Sequence, residues 1–234
     1  MRRPNFAPFQ RRSAHSPYHY CASNISYMAQ PHSRSTVTLD STFTLGDTVE
    51  EQTRDRHFYA RRFWTHLVDS STPSSGTPLI VCEPFGQYIL EQHVPFALRG
   101  NLILLPYPRQ PILHVNPTQY VETSAASETN MANINTMSVS SFGRVMTCNL
   151  SDDEFYWDVV MEHRDYEFNE RTHYSFTIRY IVSHWIMTTS PDDTFVDGSI
   201  LSILGSISSY GLDAASWTIR ALRVRPAPAE ALHH

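Results

Sequence analysis

Residues 36–45 alternate without a break, with Val37, Leu39, Phe43 and Leu45 on one side and Thr36, Thr38, Asp40, Thr42 and Thr44 on the other. A period of two is the signature of a β-strand with one face buried and one wet, and no helix gathers that set into one stripe. The same period returns in Phe155, Trp157, Val159 and Met161, and in Tyr174, Phe176, Ile178, Tyr180 and Val182. Shorter β-rich runs occupy 79–82, 88–90, 102–105, 112–115 and 138–146, with a last strand around 217–224. Turn-forming clusters such as Arg99-Gly100-Asn101 and Pro191-Asp192-Asp193 separate them.

Two stretches read as helices. Asp47 with Glu50 makes a capping box, and Tyr59, Phe63 and Leu67 follow at four-residue spacing, although 58–68 also reads as a strand. Over 198–210, Ile200, Leu204, Ile207 and Tyr210 line one side, Asp197 caps the start and Gly211 ends it. Gly205 weakens that helix by about 1 kcal/mol relative to Ala. No repeat of solenoid or propeller period is present. Eight or so strands with one or two short helices predict an all-β fold, an antiparallel β-sandwich of jelly-roll type, because each half-apolar sheet must be covered by another. The predicted organisation is an Arg-rich flexible arm at 1–35, a β-sandwich domain at 36–225 and a Pro/Ala-rich tail at 226–234.

The 234 residues contain 18 basic side chains, every one arginine. An average share of lysine in a chain this long is about a dozen. Its absence points to a coding sequence poor in A-rich codons or to selection against the ε-ammonium, the target of ubiquitination. Arg2, Arg3, Arg11, Arg12 and Arg34 precede the first acid, Asp40, and the remaining 13 arginines face 23 acids, for a net charge of −5. The basic arm has too few aliphatics to bury a core of its own. Its five arginines are the candidate nucleic-acid-binding residues, by neutralising phosphate, and Tyr18, Tyr20 and Tyr27 supply faces for unpaired bases.

No secretory signal follows the N-terminal arginines, no apolar run reaches the ~20 residues of a membrane span, and no membrane partner is expected. Cys21, Cys82 and Cys148 are odd in number and far apart, against a disulfide framework or structural zinc and in favour of a reducing compartment. The chain lacks a phosphate-binding glycine loop, a dinucleotide fingerprint and a nucleophile elbow. No catalytic residue and no cofactor is assigned.

Three constellations remain. Asp152, Asp153, Glu154, Asp158, Glu162, Asp165, Glu167 and Glu170 fall within nineteen residues, as a solvated acidic edge or a cation site. His163-Arg164-Asp165 has the HxD form of an Fe(II) facial triad but lacks a defined second histidine, His173 and His184 being nearest, so no metal site is assigned. Arg54, Arg56, Arg61 and Arg62 interleave with Phe58, Tyr59, Phe63 and Trp64, and Arg220, Arg223 and Arg225 repeat the pattern weakly.

A basic arm, a β-sandwich of about 190 residues and a Pro/Ala-rich tail together resemble the layout of a small icosahedral virus coat protein. The resemblance implies a self-assembling capsid protein in the virion, and in host cytoplasm before assembly, with itself and other shell proteins as partners and the arm on nucleic acid, RNA included. Trp64, Trp185 and Trp217 are then candidate interface anchors. The alternatives are a jelly-roll Fe(II) enzyme using His163 and Asp165, and a lysine-free effector acting in a host cell.

Overall fold

The computed structural model describes residues 35–49, 61–69, 72–83, 90–122, 137–152, 155–168, 170–211 and 214–227. Among them ten strands follow in order: β1 (Val37–Thr44), β2 (Arg62–Asp69), β3 (Thr72–Cys82), β4 (Pro95–Ile103), β5 (Ile112–Glu122), β6 (Ser138–Leu150), β7 (Tyr156–Glu167), β8 (Thr172–Ser183), β9 (Ile200–Ser209) and β10 (Thr218–Pro226). One short helix, α1 (His184–Thr189), joins β8 to β9, and a 3₁₀ turn (Ala214–Ser216) joins β9 to β10. The protein is all-β, as the alternation dictates. In β1 the pattern is complete: Val37, Leu39 and Phe43 are fully buried while Asp40 and Thr44 are exposed.

The order in which the strands pair departs from a jelly roll. β6 pairs with β7 and β7 with β8, both antiparallel. β8 then pairs with β10 in parallel, β10 with β9 antiparallel, and β9 with β6 antiparallel, so the circuit returns to its start. The first half repeats this path. β1 pairs with β4, β4 with β5, β5 with β3 in parallel, and β3 with β2. The chain beyond β1 closes it: Gly46 N donates to Trp64 O at 2.6 Å, Trp64 N to Asp47 O at 3.0 Å, and Val49 N to Arg62 O at 2.9 Å. The expected single sandwich is thus replaced by two five-stranded Greek-key barrels with the circuit 1-2-3-5-4-1, the topology of the OB fold. A barrel and a sandwich ask for the same alternation, so pattern alone does not separate them.

The register shows a duplication. Leu39 faces Gly100 across β1 and β4, and Val139 faces Gly205 across β6 and β9. A Cβ on Gly100 would lie 2.4 Å from His114 O, and one on Gly205 2.4 Å from Arg220 O. The two barrels join through antiparallel β1 and β6, where Leu39 pairs with Val139 itself, so a pseudo-two-fold axis passes between these equivalent residues. Loops are exchanged in the same sense. Tyr210, after β9, donates its hydroxyl to Leu67 O at the end of β2 (2.7 Å), and Arg109, between β4 and β5, pairs with Glu170 between β7 and β8.

Both predicted helices fall on strands. Residues 200–209 form β9, with Leu201, Ile203, Gly205 and Ile207 inward and Leu204 outward. Gly205 was the available signal, since a glycine inside a strand marks a close backbone approach. Residues 62–69 form β2, with Phe63, Thr65 and Leu67 inward, a set that contains the four-residue spacing of Phe63 and Leu67. The run predicted at 88–90 lies mostly outside the described residues, and α1 carried no helical signal because none of its six residues is buried.

Candidate nucleic-acid interface

The β6–β7 turn and α1 lie at the same end of the second barrel. Ser151 closes the turn: its N–H donates to Tyr156 O at 2.9 Å and its hydroxyl accepts from Tyr156 N at 3.3 Å. Tyr156 is the register partner of Ser183, the residue that caps α1 by accepting from Ile186 N. Phe155 and Tyr156 at the start of β7 and Trp185 in the first turn of α1 therefore lie at the same end of the barrel. These are large apolar faces left in water, 72% exposed for Phe155, 40% for Tyr156 and 74% for Trp185. A groove of about 370 Å³ opens at the same end, lined by Trp157, His184, Met187, Pro191, Asp192 and Cys148 among others, while the three exposed rings stand outside its lining.

The groove has chemistry of its own. Trp157 Nε1 is buried and meets no hydrogen-bond partner among the described residues, an unmet donor on the lining. Burial, with Asp197 as a lesser cause, raises the Cys148 thiol above its ordinary pKa and keeps it protonated at neutral pH. Its carboxylate, Asp192, and the aromatic Trp157 and Phe195 on its lining suit the face and donor edge of a heterocyclic base better than a phosphate.

From this end the outer face of β7 and β8 runs toward the first barrel. Register places Val160 beside Arg179, Glu162 beside Thr177, Arg164 beside Ser175 and Tyr166 beside His173. Arg179 is held by Asp158 through two hydrogen bonds, Nε at 2.9 Å and Nη2 at 2.6 Å. At the far end Tyr166 meets His173 and Phe168 with ring centroids 4.9 and 5.3 Å away, and Phe168 meets His114 of the first barrel at 5.4 Å. Below them Glu167, fully buried, lies 3.5 Å from both Arg62 and His114 and accepts from Glu170 N at 2.5 Å. This carboxylate of β7 ties the second barrel to β2 and β5 of the first.

The acidic run 152–170 is thereby dispersed. Asp158 goes to Arg179, Glu167 to Arg62 and His114, and Glu170 to Arg109 and Tyr174, while Asp165 accepts from Tyr166 N at 2.7 Å. Among the described residues no three His, Cys, Asp or Glu stand together as metal ligands. His163 points into the second barrel and is fully buried. Its Nδ1 lies 3.0 Å from Phe142 O and its Nε2 2.9 Å from Tyr180 Oη. Because a carbonyl only accepts, Nδ1 carries the proton, and because burial disfavours the charged ring, Nε2 is left to accept from the Tyr180 hydroxyl. Burial lowers its pKa to about 4 despite these bonds, and raises that of Tyr180. The HxD pair is a core histidine and a strand aspartate that accepts from the next backbone N–H, not half of an iron site.

Arg2, Arg3, Arg11, Arg12 and Arg34 lie outside the described residues, as do Arg54 and Arg56. Arg61 Nε donates to the buried Glu83 at 2.7 Å and its Nη2 to Leu90 O at 2.8 Å, so the interleaved segment spends Arg61 within the first half of the chain and Arg62 on the link to Glu167 of the second barrel. Trp217 is core, its Nε1 donating to Gly211 O at 2.8 Å, Trp64 is half-buried on the outer face of β2, and Trp185 alone of the three expected anchors is largely exposed. The sequence pattern puts Phe155 on the apolar strand face of Trp157, Val159 and Met161, whereas the structure leaves its ring in water.

No protein-family model and no curated protein matches the sequence. Among solved structures the chain is similar to the wild-type single-stranded DNA binding protein from Thermus aquaticus, at 13% identity and TM-score 0.48, covering 84% of this chain and 94% of that one. A small single-stranded DNA-binding protein from Streptomyces coelicolor matches at 12% identity and TM-score 0.31, over 40% of this chain and 94% of that one. The N-terminal domain of PriB from Thermoanaerobacter tencongensis matches at 16% identity and TM-score 0.27, over 39% and 96%. The coat-protein expectation is corrected by the fold: the jelly roll it required is not formed, and the strands close into two barrels instead. Identities this low leave the chemistry of the site to this chain's own residues.

Proposed function

We propose that the chain binds single-stranded nucleic acid at the second barrel, stacking unpaired bases on Phe155, Tyr156 and Trp185 and leading the strand along the outer face of β7 and β8. The observation that carries this reading is the set of three exposed rings at the β6–β7 end of an OB-topology barrel, the end at which the groove also opens. OB barrels bind oligonucleotides on the face of their second and third strands, between the loops joining strands 1–2 and 4–5. Here those strands are β7 and β8, and the aromatic end belongs to the strand 1–2 loop. A single strand offers π-faces that a duplex hides, and each base stacked on a ring contributes about 1–3 kcal/mol. Tyr156 and Tyr166 bound the face, ten residues apart, or about 33 Å of strand, a length suited to several nucleotides.

The reading is of a binding protein, without bond-making chemistry at the groove. Self-association is carried forward from the sequence as part of the proposal, in the form of a small oligomer, and sedimentation with and without oligonucleotide measures it. The direct test is fluorescence anisotropy with labelled oligothymidylate, oligouridylate and a duplex of equal length. Single strands are expected to bind and the duplex to compete poorly. Trp185→Ala and Phe155→Ala are each expected to weaken binding about 5- to 150-fold without loss of melting temperature. Failure of the wild-type protein to bind any single strand at low salt, or preference for the duplex, overturns the proposal.

A further inference from the structure

The aromatic end takes bases but has little with which to meet phosphate, since Asp192 lines the groove and Arg179 is already held by Asp158. Cations are concentrated elsewhere on the same barrel. β6, β9 and β10 carry no acid at all, yet hold Arg144, Arg220, Arg223 and Arg225, on a chain whose net charge is −5. All four are exposed, and none of their side chains has a hydrogen bond or ion pair among the described residues.

Register brings three of them into one row. Across β9 and β10, Arg220 faces Ser206, Arg223 faces Leu204 and Arg225 faces Ser202. Across β6 and β9, Ser138 faces the same Ser206, Ser140 the same Leu204 and Phe142 the same Ser202. Arg220 and Arg223 are three residues apart, which on a regular strand would put them on opposite faces. The register shift between Ala221 and Arg223 absorbs one residue, Leu222, and turns both arginines outward. Ala221 stays buried and Leu222 is 63% exposed, as that geometry requires. The row is therefore spaced at about 7 Å, close to the separation of neighbouring phosphates in an extended single strand, with serine hydroxyls alongside. Beyond β6 the surface turns neutral, where Asp40 stands opposite Arg99 across β1 and β4.

We infer that Arg220, Arg223 and Arg225 form a phosphate track on the outer face of β9 and β10, separate from the base-stacking end, which a strand long enough to pass round the second barrel engages. The inference rests on the single-strand reading above and adds a second contact surface to it. Arginine suits the role because its fork of donors stays charged and meets a phosphate with two hydrogen bonds.

The test compares oligothymidylates of about 8 and about 40 nucleotides, each titrated against salt. In the Arg220→Gln, Arg223→Gln, Arg225→Gln variant, the long strand is expected to lose about 2 from the slope of log K against log salt, at about 0.7 per phosphate contact. Short-strand affinity should be unchanged. Replacing the same three residues by Lys should restore most of the slope, and Arg223→Gln alone should remove about 0.7, which covers the case of a poorly folding triple variant. An unchanged slope and affinity for the long strand in the triple variant, with wild-type binding intact, overturns the track and leaves the stacking site standing. Absence of binding to either length by the wild-type protein overturns the reading on which the track rests.

Discussion

Acidification between about pH 7 and pH 5 should destabilise this protein through one residue. Unfolded, His163 takes up a proton near 6.5, whereas in the barrel its pKa falls to about 4, mainly through burial. Between those values the unfolded chain binds more protons than the folded one, so this contribution is intact above about pH 7 and declines as pH falls. At 1.36 kcal/mol for each pH unit of difference, the full loss below pH 4 is about 3.4 kcal/mol, and at pH 5 it is about 2 kcal/mol. Carboxylates titrate in the same range, so the measurement needs a reference. His163→Gln supplies one, because its amide N–H can donate to Phe142 O and its carbonyl can accept from Tyr180, as the neutral ring does, without titrating. Urea unfolding of both proteins at about pH 7 and pH 5 should show the wild type losing about 2 kcal/mol more than the variant. Equal losses would falsify the account of a neutral, buried His163.

The duplication makes a paired prediction: Gly100→Ala and Gly205→Ala each drive a Cβ to 2.4 Å from a backbone carbonyl, and each should cost about 1–3 kcal/mol in denaturant unfolding. A neutral result at either position would mean that the registers are not equivalent. Glu167→Ala leaves Arg62 and His114 buried without their shared carboxylate and should cost about 3 kcal/mol or more, read as a lowered urea midpoint. Cys148 lines the groove with a raised pKa, so in a Cys21→Ser background its alkylation should be slower than that of free cysteine and slower again with a bound oligonucleotide. Unaltered kinetics on adding oligonucleotide would place the strand elsewhere.

Strands were legible wherever one face met a core and the other met water, as in β1, β7 and β8, because period two survives without knowledge of the partner. β9 was misread because Ile200, Leu204 and Ile207 mimic a helical stripe. Its inward set is Leu201, Ile203, Gly205 and Ile207, and the glycine that breaks the apolar count is there to let β10 approach. The arginines divide in the same way. Arg61 and Arg62 read either as a nucleic-acid surface or as the solvated side of an amphipathic element, but are taken by Glu83 and Glu167, carboxylates distant in sequence. Arg220, Arg223 and Arg225 gave only a weak pattern, because a bulge rather than a period puts them in line.

What the sequence by itself determined is local: all-β character, most strand positions, an acidic body with scattered arginine, and the absence of any nucleotide-loop or metal-ligand motif. Those properties follow from side-chain spacing and composition, which act within a few residues. Tertiary structure alone decided that ten strands close into two barrels rather than one sandwich, that Leu39 and Val139 meet on a pseudo-two-fold axis, and that Phe155, Tyr156 and Trp185 share an end. Each of these depends on pairing between segments tens of residues apart or more. That pairing is chosen by the summed burial of the closed barrels, which no single window of sequence contains.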